Sequence, residues 1–261
     1  MKRTLITTDI TKYPEQLQGL LSAADIYDSS CSPEARVIFI DKDGGYFLKS
    51  APKGSLEKEA ALTEYLYSKK LSPHIVSYIS DERDWLLTER ARGEDCTHSV
   101  YLNDPRRLCD TLALLLRELH ETHACGCPVT DRMSAYFELV EQNYKKKAYD
   151  LSFYTQDYGR AMADEVFDVV QKNKHLLRNE VLLHGDYCLP NIMLDDWRFS
   201  AFIDVGNGGV GNRHVDLYWG AWTLRFNLKT DKYRERFFDA YGRDKIDDEL
   251  LRTVAASEVF G

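Results

Sequence analysis

A polar loop, followed by a short apolar strand and a further carboxylate, limits what this chain can fold into. The loop covers residues 184–191 and reads H-G-D-Y-C-L-P-N, which contains Asp186 and Asn191. The apolar run 199–203 follows and leads into Asp204 of a D-V-G turn. Transfer of a phosphoryl group needs one carboxylate to orient the acceptor hydroxyl, and an amide and a second carboxylate to hold Mg²⁺ against the phosphates. We therefore predict that Asp186 is catalytic and that Asn191 and Asp204 are the metal ligands.

The composition is typical of a soluble globular protein. Of the 261 residues, 44% are hydrophobic and 29% are charged, which is enough apolar material for one large domain or two lobes. No stretch is apolar enough to span a membrane, and the first eight residues lack the apolar core of a signal peptide. The six cysteines are scattered, which indicates free thiols rather than disulfides. We therefore expect a cytoplasmic protein without a membrane partner.

The net charge narrows the range of partners. It is −8, with a pI near 5.4, whereas proteins that bind a nucleic-acid backbone carry a basic patch. An acidic chain is compatible with a small cationic substrate. We expect no nucleic-acid partner, and we expect a monomer or a weak dimer.

The first third of the chain is predicted to be rich in β-strands, with one helix. The apolar runs 36–40 and 46–49 flank D-K-D-G-G, and Asp and Gly tolerate the positive φ that a tight hairpin turn needs. Residues 55–66 have helical spacing of their apolar side chains. Residues 74–79 and 84–89 are two further predicted strands.

The remainder is predicted to be mainly helical. Helices are expected over residues 106–122, 134–147 and 159–172, and again from Asp216 onward. A polar, glycine-containing stretch near Ala91 marks the predicted boundary, with an N-terminal nucleotide-binding lobe over 1–91 and a catalytic and substrate-binding lobe over 92–261. The predicted fold class is α+β, with a small β-rich lobe and a larger helical lobe. Such an arrangement suits a nucleotide held between two lobes.

Several side chains in the β-rich part are candidates for nucleotide binding. Lys49 ends the second predicted hairpin strand, where its ammonium group is expected to contact the α- and β-phosphates. The following helix carries Glu59, the expected partner of Lys49, and Glu57 is the alternative partner. The loop before the first hairpin strand contains Ser32, a candidate phosphate contact.

Two further residues are expected to support the catalytic loop rather than to react. His184 is expected to hold the loop by hydrogen bonding and not to act as a base. Asp216 is expected either to cap the next helix or to fix the loop by accepting backbone N–H groups. The predicted cofactors are Mg²⁺ and the cosubstrate ATP, and the sequence leaves GTP open as the donor.

In these motifs the chain resembles the aminoglycoside phosphotransferases, and most closely their 3'-phosphotransferase (kanamycin kinase) branch. The resemblance covers most of the chain. It rests on the segments 46–49 (Y-F-L-K), 56–59 (L-E-K-E), 86–89 (L-L-T-E), 119–120 (L-H), 127–128 (C-P), 184–191, 202–206 (F-I-D-V-G) and 257–260 (S-E-V-F).

The resemblance implies a two-lobed, protein-kinase-like fold and a function in antibiotic resistance. It implies transfer of the γ-phosphate of ATP to a hydroxyl of an aminoglycoside. By the same likeness, Ala91 is expected at the hinge that hydrogen-bonds adenine, and Glu258 is expected to bind the substrate.

Some positions depart from the family pattern. Asn207 follows the D-V-G turn, where the family often has Arg; Phe226 and Asn227 replace an acidic pair; and the chain runs one residue past the usual Phe, to Gly261. A polycationic substrate favours acidic contacts, so substitutes are sought among seven acids of the helical region: Glu138, Glu141, Asp150, Asp157, Asp164, Glu165 and Asp168.

Two other functions remain open from the sequence. The first is a metabolic kinase of the same superfamily, which acts on a choline-like or sugar-like hydroxyl. The second is a catalytically silent protein that binds nucleotide. The silent alternative is disfavoured because Lys49, Asp186, Asn191 and Asp204 are all present.

Overall fold

The computed structural model describes residues 3–22, 24–30 and 35–261, and by its internal contacts the chain divides into two compact units. The first unit contains Met1–Asp95 and Pro190–Gly206, and the second contains Cys96–Leu189 and Asn207–Gly261. The predicted lobe boundary after Ala91 stays a prediction. Ser32 lies outside the described residues.

The first unit is built on an antiparallel sheet. In the described residues six strands pair in the order β1-β2-β3-β4-β6-β5. They are β1 (Thr4–Ile6), β2 (Asp25–Asp28), β3 (Arg36–Asp41), β4 (Tyr46–Pro52), β5 (Ile75–Ser80) and β6 (Arg83–Glu89). Helix α1 (Glu15–Leu21) buries Leu17 and Leu21 in the same apolar cluster as Ile38 and Leu48 of the sheet.

The predicted hairpin is confirmed in strands β3 and β4. Its turn uses positive φ at Asp43, Gly44 and Gly45, as the D-K-D-G-G sequence predicts. The prediction that Lys49 ends the second strand is wrong, because β4 continues to Pro52. Backbone pairing with both neighbouring strands extends β4, and Lys49 therefore lies within a central strand.

Helix α2 (Glu57–Ser68) follows β4 and begins two residues later than predicted. No side chain of the helix caps its start; instead, the buried carboxylate of Asp84 accepts the backbone N–H of Leu56 at 2.8 Å. The apolar stripe was predicted correctly, since Ala60, Thr63 and Leu66 are buried. The capping group comes from strand β6, so local sequence could not reveal it.

A second, smaller sheet completes the first unit. Strand β9 (Ile192–Asp195) pairs with β10 (Arg198–Phe202) on one side and with β7 (Glu94–Asp95) on the other. Strand β10 confirms the predicted apolar strand before Asp204. The metal-ligand candidates Asn191 and Asp204 therefore flank this β9–β10 hairpin.

The second unit is mainly helical, with a two-stranded sheet. Strands β8 (Val181–Leu183) and β11 (Gly209–Gly211) pair antiparallel. The helices of the described residues are α3 (Ser99–Leu102), α4 (Pro105–Glu121), α5 (Arg132–Lys146), α6 (Ser152–Tyr158), α7 (Ala163–Asn173), α8 (His214–Leu228), α9 (Arg234–Gly242) and α10 (Asp248–Glu258). Helix α4 confirms the helix predicted over residues 106–122, and its leucines at helical spacing, Leu108, Leu112 and Leu116, are fully buried.

One predicted helix of this unit is wrong at its start. The helix over 159–172 begins at Ala163, and an additional helix, α6, precedes it. Gly159 has φ +82° and terminates α6 rather than opening a helix.

Two further properties concern cysteines and helix length. Among the described residues, Cys96, Cys109, Cys125, Cys127 and Cys188 form no disulfide. Across residues 3–22, 24–30 and 35–261, no helix is both long and apolar enough to cross a membrane.

Candidate active site

In the first unit, Lys49 is held between two carboxylates. Its Nζ atom lies 2.7 Å from Oε2 of Glu59 and 2.7 Å from Oδ1 of Asp204. Within the described residues the helix partner is Glu59, as predicted, and not the alternative Glu57. The side chain of Glu59 is 11% exposed and that of Asp204 is 54% exposed. One carboxylate is therefore a fixed partner, while the other faces solvent and is accessible to a ligand.

The electrostatics of this triad favour a charged lysine. Burial lowers the pKa of Lys49, but the nearby carboxylates of Glu59 and Asp204 outweigh burial, so that its pKa is raised overall. Burial also raises the pKa of Glu59, an effect that the ammonium group of Lys49 opposes. We regard the ion pair as charged, because its 2.7 Å contact is typical of a charge-assisted hydrogen bond.

The glycine of the D-V-G turn lies against the same glutamate. A Cβ atom placed on Gly206 would lie 3.3 Å from both Cβ and Oε2 of Glu59. A larger residue at this position would push on the side chain that holds Lys49. The turn and the helix partner of the lysine are thus packed together.

Asn191 and Asp204 are brought together at the ends of the β9–β10 hairpin. The backbone N–H of Ile203 donates to the carbonyl of Asn191 at 3.0 Å, and Asp204 follows with φ +57°. The side chain of Asn191 is buried. An amide oxygen and a carboxylate are hard ligands of the kind that Mg²⁺ prefers.

This donor set fits magnesium better than a metal with a closed protein cage. Within the described ranges, no group of three or more His, Cys, Asp or Glu side chains is arranged to hold a metal. Mg²⁺ is commonly held by one or two protein ligands together with phosphate oxygens and water. Asn191 and Asp204 meet that requirement.

In the second unit, Asp216 fixes the loop that carries Asp186. Its Oδ2 accepts the backbone N–H of His184 and its Oδ1 accepts that of Gly185, both at 2.8 Å. Asp216 is completely buried in the first turn of α8. Of its two predicted roles, support of the loop is confirmed.

A histidine and a tyrosine extend this support, and sequence reasoning missed both. Nε2 of His120 lies 3.2 Å from Oδ2 of Asp216, and Nδ1 lies 2.8 Å from the hydroxyl of Tyr241. Because a carboxylate only accepts hydrogen bonds, we assign the ring proton to Nε2, which leaves Nδ1 to accept from Tyr241. Burial raises the pKa of Tyr241 to about 12. The L-H pair in the sequence was the only sign of this network.

Asp186 lies in a turn stabilised by its neighbours. Its backbone N–H donates to Nδ1 of His184 at 3.3 Å, which confirms that His184 holds the loop by hydrogen bonding. Cys188 hydrogen-bonds the carboxylate of Asp186, and burial together with that carboxylate raises the pKa of the thiol well above its usual range. Cys188 is therefore a neutral thiol donor to Asp186.

Gly185 is required at its position by close packing. Its φ is +85°, and a Cβ atom there would lie 1.9 Å from the carbonyl oxygen of Asn207. No side chain fits in that space. The G of H-G-D is thus explained by a backbone that passes directly over it.

Glu258, the predicted substrate acid, lies at the end of α10 and is 7% exposed. The hydroxyl of Tyr136 donates to its Oε1 at 2.7 Å. Burial raises the pKa of Glu258 to about 7, although hydrogen bonds from Tyr136 and Trp219 oppose the shift. Its role in substrate binding stays a prediction.

Two of the seven acids that were considered as substitutes are engaged with the protein's own cations. Asp157 pairs with Arg225 and Arg234, and Glu141 pairs with Lys174.

Helix α8 is aromatic where the family pattern has an acidic pair. Phe226 stacks on Trp222 with ring centroids 4.9 Å apart, and the ammonium of Lys229 lies 4.2 Å from the centre of the Phe226 ring. The amide of Asn227 donates to the backbone of Thr223.

The remaining nucleotide-site candidate, Ala91, lies in the segment between β6 and β7 and is partly exposed. Its contact with adenine stays a prediction.

Comparison with known proteins identifies relatives along nearly the whole chain. The profile of the phosphotransferase enzyme family matches residues 32–253. A probable aminoglycoside 3'-phosphotransferase of Lactococcus lactis subsp. lactis (strain IL1403) is 51% identical over 254 residues, which cover 97% of each chain. An aminoglycoside 3'-phosphotransferase of Niallia circulans is 25% identical over 92% of this chain and 94% of its own.

Solved structures share the fold. The crystal structure of a type VIII aminoglycoside-3'-phosphotransferase aligns with a TM-score of 0.74 at 23% identity, over 89% of this chain and 91% of its own. An aminoglycoside phosphotransferase of Streptomyces rimosus, in complex with ADP and streptomycin, aligns with a TM-score of 0.69 at 23% identity, over 87% and 91% of the two chains. The predicted fold class, α+β and kinase-like, is confirmed.

Proposed function

This chain belongs to the phosphotransferase enzyme family, and we propose that it transfers the γ-phosphate of ATP to a hydroxyl group of an aminoglycoside antibiotic. It is a phosphotransferase with an alcohol acceptor. The observation that supports the proposal most strongly is Lys49, held at 2.7 Å by both Glu59 and Asp204. An aminoglycoside acceptor is supported by the 51% identical protein from Lactococcus lactis, which is named a probable aminoglycoside 3'-phosphotransferase.

Nucleotide binding is assigned to residues of the first unit. Lys49 contacts the α- and β-phosphates, and Glu59 fixes the direction of its ammonium group. Ser32 and Ala91 remain the proposed contacts to phosphate and adenine. Asn191 and Asp204 would hold Mg²⁺, which would supply positive charge to neutralise the phosphates.

Phosphoryl transfer is assigned to Asp186 in the second unit. The acceptor oxygen bonds to the γ-phosphorus, the bond from that phosphorus to the bridging oxygen of ADP breaks, and Asp186 accepts the hydroxyl proton. The loop that carries Asp186 is fixed by two backbone hydrogen bonds to Asp216. Asp186 therefore keeps its orientation without having to be a strong base.

The substrate is proposed to be cationic. The net charge of −8 attracts such a substrate, and Glu258 is the proposed acidic contact. We also propose a cytoplasmic location, where ATP is available, and a monomer or weak dimer, which size-exclusion chromatography at several protein concentrations would test.

A phosphotransfer panel tests the acceptor. The purified protein is incubated with γ-labelled ATP and, in separate reactions, with kanamycin, neomycin, choline or methylthioribose. We expect label on at least one aminoglycoside and none on the small alcohols. Transfer to a small alcohol alone would refute the aminoglycoside and leave the kinase assignment in place.

A metabolic small-molecule kinase is the second candidate, and two observations favour it. Phe226 and Asn227 replace an acidic pair, and Asp157 and Glu141 are engaged with the protein's own cations. Expression in a susceptible bacterium separates the two functions. An aminoglycoside kinase raises the inhibitory concentration of the drug, whereas a metabolic kinase leaves it unchanged.

A further inference from the structure

The side chain of Arg132, in the first turn of α5, contacts the segment that passes over the catalytic loop. Its Nε–H donates to the backbone carbonyl of Asn207 at 2.7 Å. Asn207 lies far along the chain from Arg132 and directly follows the D-V-G turn. Sequence patterns do not identify such a bond, because the acceptor is a main-chain oxygen.

The same carbonyl packs against the catalytic loop. Gly185 precedes Asp186, and a Cβ atom on Gly185 would lie 1.9 Å from the carbonyl oxygen of Asn207. The peptide group of Asn207 is therefore in contact with Gly185 and is hydrogen-bonded by Arg132. The backbone that follows Asn207 is also held by hydrogen bonding, because Gly209 pairs with Leu183 in the sheet of β11 and β8.

No carboxylate among the described residues forms an ion pair with Arg132. Among the described residues its terminal guanidinium nitrogens have no hydrogen-bond or salt-bridge partner, and the group lies 5.5 Å from the centre of the Tyr136 ring. Burial lowers its pKa, an effect that Tyr136 and Glu258 oppose. A partly buried cation with a single backbone partner is costly to keep. The hydrogen bond to the carbonyl of Asn207 is therefore the interaction by which Arg132 affects the surrounding structure.

We propose that Arg132 is a positioning residue for phosphoryl transfer: it fixes the carbonyl of Asn207 against Gly185 and so holds the loop that presents Asp186. This inference rests on the proposed kinase function. Arg132 acts through the backbone and does not itself contact the reacting atoms.

Kinetics of three variants test the proposal. Arg132→Met keeps an unbranched apolar stem but removes the donor, and Arg132→Lys keeps a charged donor of different shape. Arg252→Met is the matched control, because Arg252 also donates a hydrogen bond from Nε, in its case to the hydroxyl of Tyr154, and also lies over tyrosine rings. We expect kcat to fall on the order of 10- to 100-fold in Arg132→Met, with the KM for ATP nearly unchanged. Arg132→Lys should recover part of kcat, and Arg252→Met should match the wild type.

Hydrogen exchange provides a readout that does not depend on activity. The backbone amides of His184 and Gly185 should exchange faster in both Arg132 variants than in the wild type, and not in Arg252→Met. Unchanged exchange at these amides, or a kcat of Arg132→Met within about threefold of the wild type, would overturn the proposal. If Arg132→Met does not fold, the same two criteria apply to Arg132→Lys. If the wild type phosphorylates no acceptor, the proposed function fails, and the exchange data still decide the role of Arg132.

Discussion

At the scale of single residues, Lys49 shows how a common residue becomes a specific site. An exposed lysine on a strand adds little to the stability of the fold, and an exposed ion pair stabilises it by under about 1 kcal/mol. Here the lysine lies within a central strand, with a buried glutamate on one side and an exposed aspartate on the other. The buried partner keeps the ammonium group in place, and the exposed one is accessible to a ligand.

Replacement of this ammonium group tests its part in the chemistry. In Lys49→Met we expect kcat to fall on the order of 100-fold or more, because a positioned cation that stabilises phosphate charge is removed. Glu59→Gln should give a smaller loss, since the lysine remains. Steady-state kinetics measure both. Lys53→Met, at an exposed position just beyond β4, is the control, and an equal loss there would contradict the assignment.

Glu258 predicts a pH dependence of stability. Its folded pKa of about 7 exceeds the usual value of 4.5, so between these two pKa values the folded chain binds more protons than the unfolded chain. Stability therefore falls as pH rises from about 4 to about 7, by up to about 3 kcal/mol. Glu258→Gln cannot ionise and should remove this decrease in urea unfolding. Glu138→Gln, at an exposed position of α5, should retain it; retention in Glu258→Gln would refute the shift.

Sequence patterns pointed to some residues of the candidate site and not to others, for a clear reason. Asp186, Asn191 and Asp204 belong to one short, recognisable sequence pattern, and Lys49 and Glu59 are ten positions apart in the sequence. Those that were missed act through distant backbone atoms or through buried contacts. Arg132 bonds a main-chain carbonyl, and Tyr241 is linked to the loop through His120 and Asp216.

At the scale of elements, helix α8 supports the catalytic loop through its first turn. Asp216 satisfies two backbone N–H groups of the loop, and His120 from α4 bonds the same carboxylate. Removal of a buried acceptor leaves its donors unsatisfied. The orientation of the loop therefore depends on a helix that begins about thirty residues later in the chain.

Truncation of this aspartate tests the support. Asp216→Ala should lower the free energy of unfolding by about 3 kcal/mol, because buried N–H groups lose their partner. Asp110→Ala is the control: it breaks the partly exposed ion pair with Arg236 and should cost under about 1 kcal/mol. Urea unfolding measures both. Equal losses of unfolding free energy in the two variants would mean that Asp216 does not support the loop.

Prediction of elements succeeded where the signal was local. The β3–β4 hairpin follows from the turn residues, and α4 follows from its leucine stripe. The start of α2 was misplaced because Asp84, on another strand, caps it. Helix α6 was missed because Gly159 was interpreted as a helix start, whereas its φ of +82° ends a helix.

At the scale of the whole molecule, the chain order does not match the division into compact units. Pro190–Gly206 belongs to the first unit although second-unit residues precede and follow it in sequence. That segment brings Asn191 and Asp204 into the unit that contains Lys49. A boundary predicted from local composition cannot show this, because long-range contacts decide it.

Nucleotide binding should therefore stabilise the protein. With Mg²⁺ and ATP at about 100 times the dissociation constant, the free energy of unfolding should rise by about 2.7 kcal/mol. The melting temperature measures the effect, and chelation of Mg²⁺ or the substitution Asp204→Asn should remove most of it. A melting temperature that is the same with and without Mg²⁺ and ATP would contradict the nucleotide site.

Phosphoryl transfer by Asp186→Asn, measured beside the wild type, tests the central claim most directly. With γ-labelled ATP and an aminoglycoside that the wild type labels, the variant should be slower by about 10³-fold or more while it melts close to the wild type. The amide keeps the shape of the side chain and removes its capacity to accept the proton. A variant that transfers phosphate as fast as the wild type would contradict the account.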